Sequence, residues 1–133
     1  MEQHLRFIGV LLIALSLVHM IFPRYFKWKE ELQRLSLVNR QMVQVHTFFI
    51  ALVLLLMGIL VLVYPAALLQ EELGRGVCFG FGIFWFARLL IQFTGYSSEL
   101  WRGKHFETIV HILFAISWAY LSLIFFNIYF QWF

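Results

Sequence analysis

A chain of 133 residues that is 62% hydrophobic and only 13% charged stands apart from soluble domains, which are nearer half apolar and a quarter charged. Mean hydropathy is +0.84, so composition excludes a soluble or disordered protein, and the length leaves room for one transmembrane domain over residues 1–133. The net charge of +3 does not point to nucleic acid, because the basic residues flank apolar segments, where membrane orientation accounts for them; the lone cysteine, Cys78, excludes an intrachain disulfide, a CxxC redox pair and a cysteine-rich zinc site.

Four apolar stretches reach the roughly 20 helical residues that cross a bilayer. The first covers about residues 5–22, "LRFIGVLLIALSLVHMIF". Glu2 weakens the basic leader a signal peptide needs, and no convincing small-x-small cleavage site follows, so this span is read as retained. The connection after it, "PRYFKWKEELQRLSLVNRQ", puts Trp28, Leu32 and Leu35 on one helical face, with Lys27, Lys29, Glu30, Glu31 and Arg34 elsewhere. That pattern predicts a short interfacial amphipathic helix over about 24–38. The second span covers about 41–64 and the third about 76–95, joined by "PAALLQEELGR". The fourth, about 106–126, follows "YSSELWRGKH". None of the four alternates as a barrel strand does. Short connections predict an all-α, antiparallel up-down bundle of four transmembrane helices.

Lysine and arginine set the expected direction. Seven basic residues (Arg24, Lys27, Lys29, Arg34, Arg40, Arg102 and Lys104) flank one side, against Arg6 and Arg75 on the other. The positive-inside rule then places loops 24–40 and 96–105 in the cytoplasm, both termini outside, and the chain in a bacterial-type inner membrane or its equivalent.

Polar residues within the spans collect at one level. At 1.5 Å per residue, His19 lies about 6 Å inside the boundary at Pro23, His46 about 9 Å past Arg40, Arg88 about 12 Å before Tyr96, and His111 about 10 Å past Lys104. Because the spans alternate in direction, all four depths are measured from the same side. Gln44 and Thr47 accompany His46, Gln92 follows Arg88 by one turn, and Glu107 and Thr108 precede His111. Helical stripes fit convergence: Gly9, Leu12, Ser16 and His19; Phe81, Trp85, Arg88, Gln92 and Gly95; Thr108, His111, Ala115, Trp118 and Ser122. An ionisable group at such depth costs at least about 2.5 kcal/mol unless partnered, which makes it a functional-site hypothesis.

Each residue also has a plainer reading. A histidine near the interface often bonds a backbone carbonyl, and Arg88 has a stem long enough to snorkel. Glu107 suits a helix N-terminus. Trp28, Trp101 and Trp132 suit an aromatic belt. What the plain readings leave unexplained is the shared level.

His19, His46 and His111, with Glu107, form the one combination suited to a metal. Arg88 beside them would repel a cation, and "HFETIVH" lacks the H-E-x-x-H spacing. Arginine beside histidine favours an anionic or carbonyl-bearing ligand instead. Haem b, with two axial histidines and Arg88 on a propionate, fits that chemistry. So does a quinone bonded by a histidine, Arg88 or Gln92, with Trp85 against its ring. A lipid-modifying enzyme with a histidine base and an arginine clamp is a further option, although Ser97, Ser98 and Ser117 have no nucleophile context. The competing class is an accessory subunit of a larger membrane complex, with the bilayer, a partner helix or a second copy as its contacts and no cofactor of its own.

Overall fold

The computed structural model describes all residues, Met1–Phe133, and contains helices and connections but no strand. Four helices are long and apolar enough to cross a membrane: α1 (Glu2–Tyr25), α3 (Leu37–Val63), α5 (Glu72–Thr94) and α6 (His105–Phe130). Two short helices, α2 (Trp28–Glu31) and α4 (Pro65–Gln70), lie in the connections. The chain is an all-α integral membrane protein. It divides into two compact units, Met1–Pro65 and Ala66–Phe133, each built around one pair of long helices.

The spans run several residues beyond their apolar cores. α1 begins at Glu2 and continues through Pro23 to Tyr25. Pro23 cannot donate to the carbonyl of His19 one turn back, and the helix ends two residues later. The connection that follows is less helical than its amphipathic pattern suggests. Lys27 adopts a left-handed conformation with φ of 54°. Only Trp28–Glu31 is α-helical, followed by a single 3-10 turn, Leu32–Arg34. Ser36 then caps α3, its side chain accepting from the Asn39 amide at 3.3 Å; this satisfies one of the donors a helix start leaves open.

α3 stops at Val63 because Tyr64 precedes a proline and is pushed out of the α region; it sits at φ −122°, ψ 47°. Pro65 opens α4 at the one helical position that tolerates it. This extra turn was not visible in the hydropathy of "PAALLQEELGR". Gly74 lets α5 start against it, since a Cβ there would collide with the Ala67 carbonyl.

In the first unit α1 and α3 pack antiparallel through small residues. Gly9 faces Gly58 so closely that a Cβ on Gly58 would sit 2.9 Å from the Gly9 carbonyl oxygen. Leu5, Ile8, Leu12 and Leu15 are buried, as are Ala51, Leu54, Met57 and Val61, at the three- and four-residue spacing of a helical seam. Close approach of this kind is how helices gain dispersion contacts where lipid supplies no hydrophobic drive.

In the second unit α5 and α6 also pack antiparallel, but through rings. Phe81 meets Phe125 edge-on at 5.3 Å, and Trp85 stacks on Trp118 at 5.0 Å. A Cβ on Gly82 would press on the Phe126 ring. Side chains facing away from these seams, such as Phe49, Ile59, Ile109 and Ile116, are apolar and exposed, as a lipid-facing surface requires.

Candidate functional site

The polar side chains of the second hairpin bond one another across the two helices. Gln92 is at the centre and is buried. Its Oε1 accepts from Arg88 Nη1 at 3.4 Å and from Trp118 Nε1 at 3.2 Å. Its Nε2 lies 2.8 Å from His111 Nδ1. Arg88 Nη2 donates to the Tyr96 hydroxyl at 3.3 Å. The Arg88 guanidinium carbon also stands 5.3 Å from the Trp118 ring and 5.5 Å from the Tyr96 ring, within cation–π range.

Helix spacing explains the assembly. Residues 81, 85, 88 and 92 fall on one face of α5, and 111 and 118 on one face of α6, so an antiparallel seam brings the two sets together. The imidazole of His111 lies flat on Trp101, with ring centroids 3.9 Å apart, and meets the edge of Phe93 at 5.7 Å. Trp101 is held there from the other side of the loop: its carbonyl accepts from the Thr108 hydroxyl at 2.5 Å, at the start of α6.

The electrostatics are one-sided. Arg6 pairs with Glu2, whereas Arg88 has no carboxylate partner. Trp85 is 2% exposed, and its Nε1 is the only buried side-chain polar atom without a hydrogen-bond partner. Such an orphan calls for an explanation, because an unmade buried bond costs about 1–3 kcal/mol. Trp85 lies one helical turn from Arg88.

The remaining expected residues are placed differently. In the first hairpin, His19 Nδ1 is 2.8 Å from the carbonyl of Leu15, one turn back on its own helix, and its ring packs on Phe22. With Met20, Pro23, Gln44, Thr47 and Phe48 it lines an open depression of about 140 Å³. Thr47 donates to the Val43 carbonyl at 2.8 Å, again within its own helix. His46 is exposed and lies on another face of α3, away from that depression. Glu107 is exposed in the first turn of α6. No three histidine, cysteine or acidic side chains stand where they could hold a metal ion, and the set His19, His46, His111 and Glu107 is therefore not gathered as one.

Of the expected site residues, Trp85, Arg88, Gln92 and His111 belong to one hairpin, and Arg88, Gln92 and His111 to one bonded network. Sequence reasoning missed three neighbours. Trp118 was visible only as a stripe member; its facing position relative to Gln92 was the available signal. Tyr96 marked a span end, eight residues beyond Arg88. Trp101 looked like a belt residue, and nothing in its loop position signals a stack on His111.

No family model matches the chain, and neither curated proteins nor solved structures provide a match. The site therefore carries the functional argument.

Proposed function

We propose that this membrane protein binds the polar head of an amphipathic ligand, a quinone or an anionic amphiphile, at the Arg88–Gln92–His111 network of the second hairpin. The observation that carries this is the surplus of donors: an arginine without a carboxylate within one helical turn of a buried indole N–H without an acceptor. Carbonyl or carboxylate oxygens would complement both.

Haem b has less support. It takes two axial histidines, yet His46 does not share the depression that His19 lines, and His105 and His111 in the second hairpin are six residues apart, about 240° around one helix.

The test is extraction of the purified protein into organic solvent, with mass spectrometry of what it releases. Wild type is expected to retain a quinone or acidic amphiphile through detergent exchange, and Arg88→Leu to lose it. Equal retention by both, or release of nothing by wild type, overturns the reading.

One observation favours a second reading. Gln92 ties α5 to α6 through both His111 and Trp118, which is what a structural lock in an accessory subunit would do. Under that reading Arg88→Leu unfolds the hairpin rather than emptying it.

For orientation, the seven-to-two distribution of flanking basic residues supports an inner-membrane topology with residues 24–40 and 96–105 cytoplasmic and both termini outside. A single cysteine introduced at Glu30, in a Cys78→Ser background, is expected to resist an impermeant maleimide added to intact cells; ready labelling inverts the topology.

A further inference from the structure

The polar groups of the second hairpin include one that can be oriented by elimination. Gln92 Oε1 receives Arg88 Nη1 and Trp118 Nε1. A guanidinium and an indole N–H can only donate. Both lone pairs of that oxygen are therefore occupied by obligate donors, and the amide has one orientation. Its nitrogen faces His111 Nδ1 at 2.8 Å. An amide nitrogen can only donate, so His111 accepts at Nδ1 and carries its ring proton on Nε2.

His19 is the opposite case. Its Nδ1 lies 2.8 Å from a backbone carbonyl oxygen, which can only accept, so there the proton is on Nδ1. The Nδ1 atoms of the two histidines are held in opposite roles by their partners, one accepting and one donating.

We infer that Gln92 is the positioning residue that makes this site donor-only, by holding His111 as the Nε2–H tautomer while consuming its own acceptor oxygen. This rests on the ligand reading given above and narrows it. What the network leaves unused is then the Nε2–H of His111, the second amide N–H of Gln92, the remaining N–H groups of Arg88, the Tyr96 hydroxyl proton and, one turn away on α5, the Trp85 indole N–H. Only the Tyr96 oxygen keeps a spare lone pair. A head group presenting acceptor oxygens, either a quinone carbonyl or a deprotonated acid, matches that set. An amine or ammonium head does not, because it would meet donors and a positive charge.

Two measurements on the full chain in detergent test this. In the first, nitrogen NMR of histidine-labelled protein, with assignment by His111→Phe, is expected to show the Nε2–H tautomer at His111. Gln92→Glu replaces the donating amide by an oxygen, so His111 must donate at Nδ1, and the signature is expected to invert or become doubly protonated. Gln92→Met, which offers neither group, is expected to give a tautomer mixture and serves if the glutamate variant does not fold. An Nδ1–H signature in wild type, or no change in either variant, overturns the inference.

In the second, quenching of tryptophan fluorescence is read with a short-chain benzoquinone, a medium-chain fatty acid and the matching fatty amine. The quinone or the acid is expected to bind at least about tenfold more tightly than the amine. Gln92→Glu, which gives Arg88 a counter-charge, is expected to abolish that preference for the acid. Equal binding of amine and acid by wild type overturns the donor-only assignment. Absence of all binding, with the expected tautomer intact, removes the ligand reading and leaves the positioning role of Gln92 standing.

Discussion

The two hairpins solve the same problem by different means. In the first, three polar side chains within the spans bond backbone: His19 on Leu15, Thr47 on Val43, and Ser16 across the seam on the Ala51 carbonyl at 2.6 Å. Its helices meet through glycine, so backbone lies close to backbone. In the second, the helices meet through large rings, and Gln92 collects three partners from three different residues. A polar residue bonded to its own helix is indifferent to the neighbouring helix. One bonded across the seam depends on it. The second hairpin holds a buried donor without an acceptor, Trp85 Nε1, which is why the functional reading falls there.

Four substitutions probe that contrast. The largest effect is expected for Gly58→Leu, which forces a side chain into the Gly9 carbonyl and Ile13. Overpacking of this kind costs about 1–3 kcal/mol, and more where backbone must move. Unfolding of the purified protein in a denaturing detergent series measures it, and unchanged stability would mean that the seam is not closed by glycine.

Gln92→Ala comes next. It strands the Trp118 N–H and frees Arg88, at a cost of about 1–2 kcal/mol, the upper range for side-chain bonds within membranes. The same titration is expected to show it, together with a change in tryptophan emission as the Trp118 N–H loses its acceptor.

The smallest effects are expected in the first hairpin. His19→Ala removes a bond made within a single turn of α1 and should cost less than about 1 kcal/mol. His46→Ala, at an exposed position, should lie within about 0.5 kcal/mol of wild type. If His46→Ala destabilises more than Gln92→Ala, the assignment of the polar centre to the second hairpin is mistaken.

Much of this was legible in the order of residues. Span number and approximate limits follow from hydropathy and the thickness of a bilayer, because backbone in lipid must be bonded within its own segment and a helix is the local solution. The stripe Phe81, Trp85, Arg88, Gln92 was legible for a related reason: helical period alone puts those residues on one face. Arg88 and His111, expected at one level, do meet through Gln92 within the second hairpin. The helical turn after Pro65 and the break at Lys27 were not, since both depend on local backbone geometry that composition does not reveal.

What only the tertiary structure decided is which of the residues expected at one level are partners. Depth is a one-dimensional quantity, and residues on different helices can share it without facing one another. His19 turns to its own backbone and His46 to the exposed side of α3, while Gln92 reaches His111 and Trp118 because α5 and α6 pack antiparallel along the faces that carry them. Trp101 joins from a loop, where no period constrains it, and is set on His111 by the bond from Thr108. Helix faces are a property of the chain; the pairing of faces is a property of how helices pack, and the chemistry proposed here arises from the pairing.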